Sequence, residues 1–488
     1  MDLNGNPLRK LLVKLQRFSR APGKRKFLYI TLGIVAYLFV SSAVWKYHSE
    51  KSYTSKLSLI RKRLLRYCNP PGPPLGNEHN EPMEYAQFTL KQVQVVTRHG
   101  DRSSIVENFP NMMHFNCELR SPNLQHDQKL QMLKKMSKFL RIVEVKEQEK
   151  VDSDFLLNER KICKTGQLTG RGYLQFIYLG EYMQNMYGRR LHLDLASVEE
   201  EQIIVFATPF ERTQQSAAAF LVGMLDRMFK NIPANISDLS PTVKIQVSSD
   251  VLGYFREDEN NEIPSCPELK RLIKKEQRHS SSLGPLSNKI SERFNLAAQK
   301  LPTMTQLFDI VATHQCHHHP PPCGPGGCID DAVKLDLLKA IDEFITTKYT
   351  ATATLAAHPL LSKIAQQMLT HITNGGYTRL VLFAAHDSTV APLLIDLGIF
   401  QNQWPSYASR IVFELWEAGG LLGSKLAGEN MDKYFIRVLY DGRDFTKKLK
   451  FCNGKLKFGK LCPLKAFIKA LEGHSESMDV EYSRLCAG

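Results

Sequence analysis

The stretch Val93–Arg102, VQVVTRHGDR, ends a short apolar run in two arginines, a histidine and an aspartate within five residues. In open α/β sheets ligands bind beyond the carboxyl ends of strands, which is where such a charge cluster has a use. Two other apolar runs end in the same manner. Ile203–Ala207 (IIVFA) leads into TPFERTQQS, with Arg212 and Thr213 entering a helix. Leu380–Ala385 (LVLFAA) leads into His386-Asp387-Ser388-Thr389, the last three being good helix-starting residues. If the three runs are parallel neighbours, their polar ends converge on one edge of a sheet.

Working outward, Arg410–Glu417 (RIVFELWE) and Phe435–Tyr440 (FIRVLY) also read as buried strands, and helical patterns such as 170–188 and 358–374 lie between the runs. Strand alternating with helix predicts an α/β fold, a central mostly parallel sheet with helices on both faces. The stretch 222–350 is charged, poor in strand-like runs and rich in helical pattern, and is expected to be a helical cap inserted into a domain spanning 89–488. Residues 46–88 read as a stem, broken at Asn69–Pro74 (NPPGPP), whose prolines cannot continue a helix.

The formal charge of +15 is concentrated. Of 64 Lys/Arg and 49 Asp/Glu, the first 67 residues hold 15 and 2, leaving 49 and 47 in a nearly neutral body. A nucleic-acid-binding face across the body is therefore disfavoured. The same leader contains Phe27–Trp45, 19 residues without a charge, between Lys26 and Lys46. At 1.5 Å per residue this nearly spans a hydrocarbon core of about 30 Å, and it exceeds the usual apolar region of a cleaved signal peptide. It predicts a retained transmembrane signal-anchor at 27–45 after a cytosolic tail, 1–26. All ten cysteines lie beyond it, an even and scattered set suited to disulfides in an oxidising lumen, and Asn235-Ile236-Ser237 is a compatible glycosylation sequon.

The three strand ends together supply Arg98, Arg102 and Arg212, the imidazoles of His99 and His386, and the carboxylate of Asp387. Arginine stays charged and matches phosphate oxygens with a planar fork. Three of them around one small space repel one another unless an anion fills it, so the set suits a dianion, and Gly100 is expected to let backbone approach closely.

TRHGDR, RTQQS and AAHDST, with GQLTGRGYLQFIYLGEYM (Gly166–Met183) and the late strands, resemble the histidine acid phosphatase branch of the histidine phosphatase superfamily, over about 91–462. The resemblance implies a phosphomonoester hydrolase with His99 as nucleophile through a phosphohistidine. Arg98, Arg102, Arg212 and His386 would hold the phosphoryl oxygens, and Asp387 would be the proton donor. It calls for no metal and no cofactor. One departure stands out: the family usually has proline two residues after the second arginine, and here that residue is Ser104, which bears on substrate preference before activity. A narrower set, YCNPP, CHHHPPPCGPGGCIDD (Cys316–Asp331), FELWE and CPL, resembles a glycan-phosphatase branch of the family. That implies a single-pass type II Golgi membrane protein, catalytic domain lumenal, acting on phosphorylated xylose in the glycosaminoglycan–protein linkage. Rival readings are a broad acid phosphatase of phytase or lysophosphatidic-acid type, and a catalytically inactive scaffold binding a Golgi glycosyltransferase as partner.

Cys316, His317–His319, Cys323 and Cys328 could in principle supply zinc ligands. Their spacing is not that of a standard finger, and cysteine pairing competes in an oxidising lumen, so structural disulfides are expected in a pairing the sequence leaves open.

Overall fold

The structure is a computed structural model. It describes Tyr37, Ser41 and residues 57–74, 87–137, 140–144, 150–151, 156–157, 160–193, 202–230, 243–247, 266–280, 284, 286–297, 300–425 and 431–487. The chain divides into two compact units, Met1–Lys62 and Arg63–Gly488. In the first, 57–62 are helical. The expected membrane span, 27–45, lies outside the described residues apart from Tyr37 and Ser41, and the sequon at Asn235 lies outside them entirely. No helix among the described residues is long and apolar enough to cross a membrane.

In the second unit, parallel register brings the motif-bearing strands to a common edge. β1 (Phe88–Arg98), β2 (Leu140–Glu144), β3 (Lys150–Val151), β4 (Ile203–Ala207), β5 (Val243–Val247), β8 (Leu380–Ala385), β9 (Arg410–Ala418), β10 (Tyr434–Tyr440), β11 (Arg443–Asp444) and β12 (Cys462–Pro463) form one sheet. Its order is β11-β10-β9-β1-β8-β4-β5-β2-β3, with β12 on β10. A small hairpin, β6 (Cys323–Gly324) with β7 (Gly327–Cys328), stands apart. β1 runs parallel to β8 with Arg98 opposite Ala385, and β8 runs parallel to β4 with Ala384 opposite Ala207. The polar residues that follow each strand therefore emerge side by side.

The sheet is mixed rather than mostly parallel. The pairs β1–β8, β8–β4, β4–β5 and β5–β2 are parallel; β9, β10, β11, β12 and β3 all pair antiparallel. The late strands 410–418 and 434–440 pair antiparallel across a connection that holds the short helix Gly420–Lys425, so the strand–helix alternation that predicts a parallel sheet does not extend to them. The stretch 222–350 also differs from a purely helical cap. The helix Glu211–Lys230 runs on through its start, and β5 is a strand of the main sheet between β4 and β2. VKIQV alternates polar and apolar residues instead of forming an apolar run, which hides it from a search for buried strands. The other described elements of the stretch are helices Pro267–Ser280, Leu286–Phe294, Met304–Cys316 and Asp331–Thr350 and the β6–β7 hairpin.

Side-chain alternation splits the core in two. Val93, Val95, Val205 and Leu382 face helices Leu124–Met136, Gly170–Met183 and Glu211–Lys230 on one side. Val96, Phe206, Val381 and Phe383 face Ala353–Thr373, Asp387–Asp396 and Leu464–Glu472 on the other. Each fully buried large apolar side chain contributes about 2 kcal/mol of transfer free energy, and with both faces covered the strand ends are held at fixed heights. All ten cysteines are paired: Cys68–Cys316, Cys117–Cys163, Cys266–Cys486, Cys323–Cys328 and Cys452–Cys462. The cysteines of the 316–328 loop are thus in disulfides and present no thiolates.

Candidate active site

The backbone after β1 continues the sheet register by one step, the His99 amide donating to Ala385 O at 2.8 Å. This sets His99 beside His386, ring centroids 5.5 Å apart. The loop then turns onto the helix Gly170–Met183. Gly100 packs there against Gly172, whose backbone lies 2.6 Å from where a Gly100 Cβ would be. The close approach Gly100 permits is therefore to a helix start.

His99 is buried, and its Nδ1 lies 2.8 Å from Gly100 O, so Nδ1 carries the proton and donates. The lone pair is then on Nε2. Burial first, then the charges of Arg212, Arg98 and Arg102 with His386, hold its pKa well below the usual imidazole value, so the ring stays neutral in mildly acidic surroundings.

Arg98 is wholly buried and clamped. Nη1 donates to Pro405 O at 2.6 Å, and Nη2 donates to Tyr67 Oη at 3.0 Å and meets Asp387 Oδ2 at 2.9 Å. Its guanidinium carbon lies 4.2 Å from the Tyr407 ring centroid and 5.0 Å from that of Tyr67. Arg102 pairs with Asp309 Oδ1 at 2.7 Å and donates to Ser103 O. The Nε atoms of Arg98 and Arg102 have no protein acceptor among the described residues. Arg212, half-buried, lies over Phe210 at 4.5 Å and points Nη2 at His386 Nδ1, 3.5 Å away. His386 Nε2 in turn meets Thr208 Oγ1 at 2.9 Å, and Thr208 meets Thr213 Oγ1 at 2.7 Å.

Asp387 opens its helix, with His386 as the N-cap. Oδ1 accepts from the Ser388 amide and Oδ2 from Trp404 Nε1. Burial alone would raise its pKa, but Arg98 and Arg102, the Trp404 bond and His386 outweigh it and leave the value at about 2. All six residues expected at the three strand ends, Arg98, His99, Arg102, Arg212, His386 and Asp387, are thus brought into one cluster. Asp387 is ionised there, the opposite of what a proton donor needs before substrate arrives.

Residues 89–441 match the histidine phosphatase superfamily (branch 2). The chain belongs to that family. This branch 2 histidine phosphatase is similar to 2-phosphoxylose phosphatase 1 of Xenopus tropicalis, 28% identical over 422 residues, with 82% of this chain and 77% of the relative covered. It is 26% identical over 425 residues to 2-phosphoxylose phosphatase 1 of Homo sapiens, with coverage of 83% and 81%. Among solved structures it resembles the Bifidobacterium longum multiple inositol polyphosphate phosphatase in complex with phosphate (TM-score 0.49, 13% identity, 85% and 99% covered). The histidine phosphatase is accordingly a phosphomonoester hydrolase.

Several residues of the cluster have no strand-end signature. Tyr67, Asp309, Trp404 and Tyr407 approach from outside the three motifs. Asp101, inside the first motif, is buried and accepts from Thr169 Oγ1 at 2.6 Å and His317 Nε2 at 2.7 Å, while its amide donates to Gln175 Oε1. Only the TRHGDR context could have pointed to Asp101. For Asp309 the signal that could have found it is a lone carboxylate in the helical stretch QLFDIVA, a position where a charge needs a buried partner.

Proposed function

We propose that this phosphatase transfers a phosphoryl group to His99 and that its substrate is a phosphorylated sugar of the 2-phosphoxylose type in a proteoglycan linkage. The observation that carries the chemistry is the neutral Nε2 of His99 among three arginines, with Nδ1 anchored on Gly100 O. The lone pair attacks phosphorus, the P–O ester bond breaks, and the departing alkoxide takes a proton from Asp387. Water then attacks the phosphohistidine and gives its proton to the Asp387 carboxylate. Phosphate leaves and His99 is again neutral. Arg98, Arg102, Arg212 and His386 spread the transition-state charge.

Asp387 acquires its proton with the substrate. A phosphate monoester has its second pKa near 6, so in acidic surroundings it arrives partly as a monoanion carrying a proton. Its charge competes with Asp387 for Arg98, and the like charge raises the carboxyl pKa. The site favours the donor only when occupied.

Two observations support a bulky substrate. The relatives named 2-phosphoxylose phosphatase match more than four-fifths of the chain. A cavity of about 810 Å³ also adjoins the loop after Arg102, lined by Ser103, Ser104, Phe109, Met112, Phe115 and Lys164 among others. Aromatic faces beside hydrogen-bonding groups suit a sugar. Attachment by 27–45, glycosylation at Asn235 and a lumenal Golgi location complete the reading, supported by the full pairing of the cysteines. The test is a substrate panel. We expect kcat/KM for a phosphoxylose linkage oligosaccharide to exceed that for 4-nitrophenyl phosphate, phytate and lysophosphatidate by at least about tenfold. Equal turnover of the simple aryl ester removes the narrow assignment.

A further inference from the structure

The segment just ahead of the family domain reaches into the catalytic cluster. Residues 63–69 lie in the second compact unit but precede the family match at 89. Tyr67 is buried at 6% exposure, with its hydroxyl 3.0 Å from Arg98 Nη2 and its ring packed against Tyr407 (4.9 Å) and Phe308 (5.0 Å). The backbone is fixed from every side. The Tyr407 amide donates to Tyr67 O at 3.0 Å, and Asn69 Nδ2 donates to Tyr407 O at 2.7 Å. Gln175 Nε2 donates to Cys68 O at 2.8 Å and to Asn69 O, while Gln175 Oε1 accepts the Asp101 amide of the catalytic loop. One glutamine therefore ties this segment to the loop carrying His99. Cys68 is bonded to Cys316, and the next residue, His317, holds Asp101. Arg63 meets Asp342 of the helix Asp331–Thr350 at 2.6 Å.

A passive stem would have no use for such attachments. A surface linker also rarely buries a tyrosine against a guanidinium, because both must lose hydration. The phenol is a neutral acceptor for Arg98, so it orients the guanidinium without cancelling its charge, whereas Asp387 on the same nitrogen does cancel it. We infer that residues 63–69 are part of the catalytic centre, with Tyr67 as a positioning residue that holds the Arg98 guanidinium at the phosphate site and Cys68–Cys316 as the clamp that keeps it there.

This rests on Arg98 as a phosphate ligand, so the experiment separates the two claims. Full-length protein is prepared as wild type, Tyr67→Phe, Arg98→Ala and the double variant. Inhibition by inorganic phosphate, kcat, KM and the thermal midpoint are measured for each. Tyr67→Phe keeps the ring and loses only the hydroxyl. We expect phosphate inhibition to weaken about five- to tenfold, with the thermal midpoint little changed, and no further weakening when Tyr67→Phe is added to Arg98→Ala. A merely structural tyrosine would give the same penalty in either background. If Arg98→Ala weakens phosphate strongly while Tyr67→Phe stays within twofold of wild type, the inference falls and the site reading stands. If Arg98→Ala leaves phosphate inhibition unchanged, both fall. Asn69→Ala provides a second route, loosening the segment from Tyr407 without touching Tyr67. It should weaken phosphate inhibition two- to threefold, and no effect would overturn the claim that the segment positions the site.

Discussion

Two buried arginine clusters sit on strands of the same sheet, with β9 between them, and they are built to opposite ends. On β10, Arg437 meets Glu414 of β9 at 2.9 and 3.2 Å and Asp444 of β11 at 2.9 Å, and Tyr187 Oη and Trp416 Nε1 complete the Glu414 carboxylate. Two carboxylates face one arginine. At the end of β1, Arg98 meets Asp387 and Arg102 meets Asp309, one carboxylate to each arginine, and the Nε of each guanidinium has no protein acceptor among the described residues. A saturated cluster serves packing. One that keeps unused guanidinium donors is a place for an anion, and burial alone does not tell them apart, since Arg98 and Arg437 are equally inaccessible.

The sharpest break of this comparison is at the nucleophile. His99→Ala should lower kcat by about 10⁴-fold or more, with the thermal midpoint within a few degrees of wild type, because the ring supplies chemistry and few contacts. Acid-quench trapping should show phosphorylated protein in the wild type and none in the variant. Retained turnover would assign the reaction to another group. The mirror experiment is on β10. Arg437→Met leaves Glu414 buried beside no cation and should cost about 3–5 kcal/mol of stability by denaturant unfolding, while kcat per folded molecule stays within twofold. A loss of activity without a loss of stability would mean the saturated cluster is not merely structural.

The three strand-end motifs, the alternation of strand and helix and the cover on both sheet faces were all legible in the sequence, because each is a local pattern: an apolar run, a period, a polar stop. β2 and β5 were not, because Arg141 and Glu144 interrupt LRIVE, and Lys244 and Gln246 interrupt VKIQV, so neither reads as an apolar run. Tyr67 and Asp309 fall in stretches whose local pattern is that of a stem and a cap, for a different reason. Their importance comes from a partner far along the chain, Arg98 for Tyr67 and Arg102 for Asp309, and no local pattern encodes that meeting. The disulfide pairing fell in the same class: an even count was visible, but joining Cys68 to Cys316 over 248 residues needs the fold.

Acid separates the clusters by sign. Burial raises the Glu414 pKa despite Arg437, whereas Asp387 lies at about 2. A depressed carboxyl pKa stabilises the fold above the unfolded value near 4 and is lost as pH falls from about 4 towards 2. Asp387→Asn should therefore flatten the stability decline in that window, while protonation of Glu414 higher up relieves a buried charge. For activity, the lowered pKa of His99 puts the acid limb of kcat/KM well below 6.5, since that limb reports the free enzyme. A limb at or above 6.5 would mean the arginines do not hold the ring neutral.

The smallest effect expected is at Ser104, where the resemblance to the family implies a proline. Its hydroxyl donates to Asp309 Oδ2 at 2.9 Å and accepts the Val106 amide at 3.0 Å, and Asp309 also accepts the Ile105 amide while pairing with Arg102. Ser104 is thus one of three donors that fix the carboxylate balancing Arg102. Ser104→Ala removes one of these donors and leaves the other two, so it should cost about 1 kcal/mol of stability and raise KM about two- to threefold with kcat unchanged. Ser104→Pro removes the same hydroxyl and stiffens the turn. If it matches Ser104→Ala, the serine matters through Asp309. A restored KM in the proline variant would instead place the effect in the rigidity of the loop, and the contrast between the saturated and the open cluster would then owe nothing to how Asp309 is held.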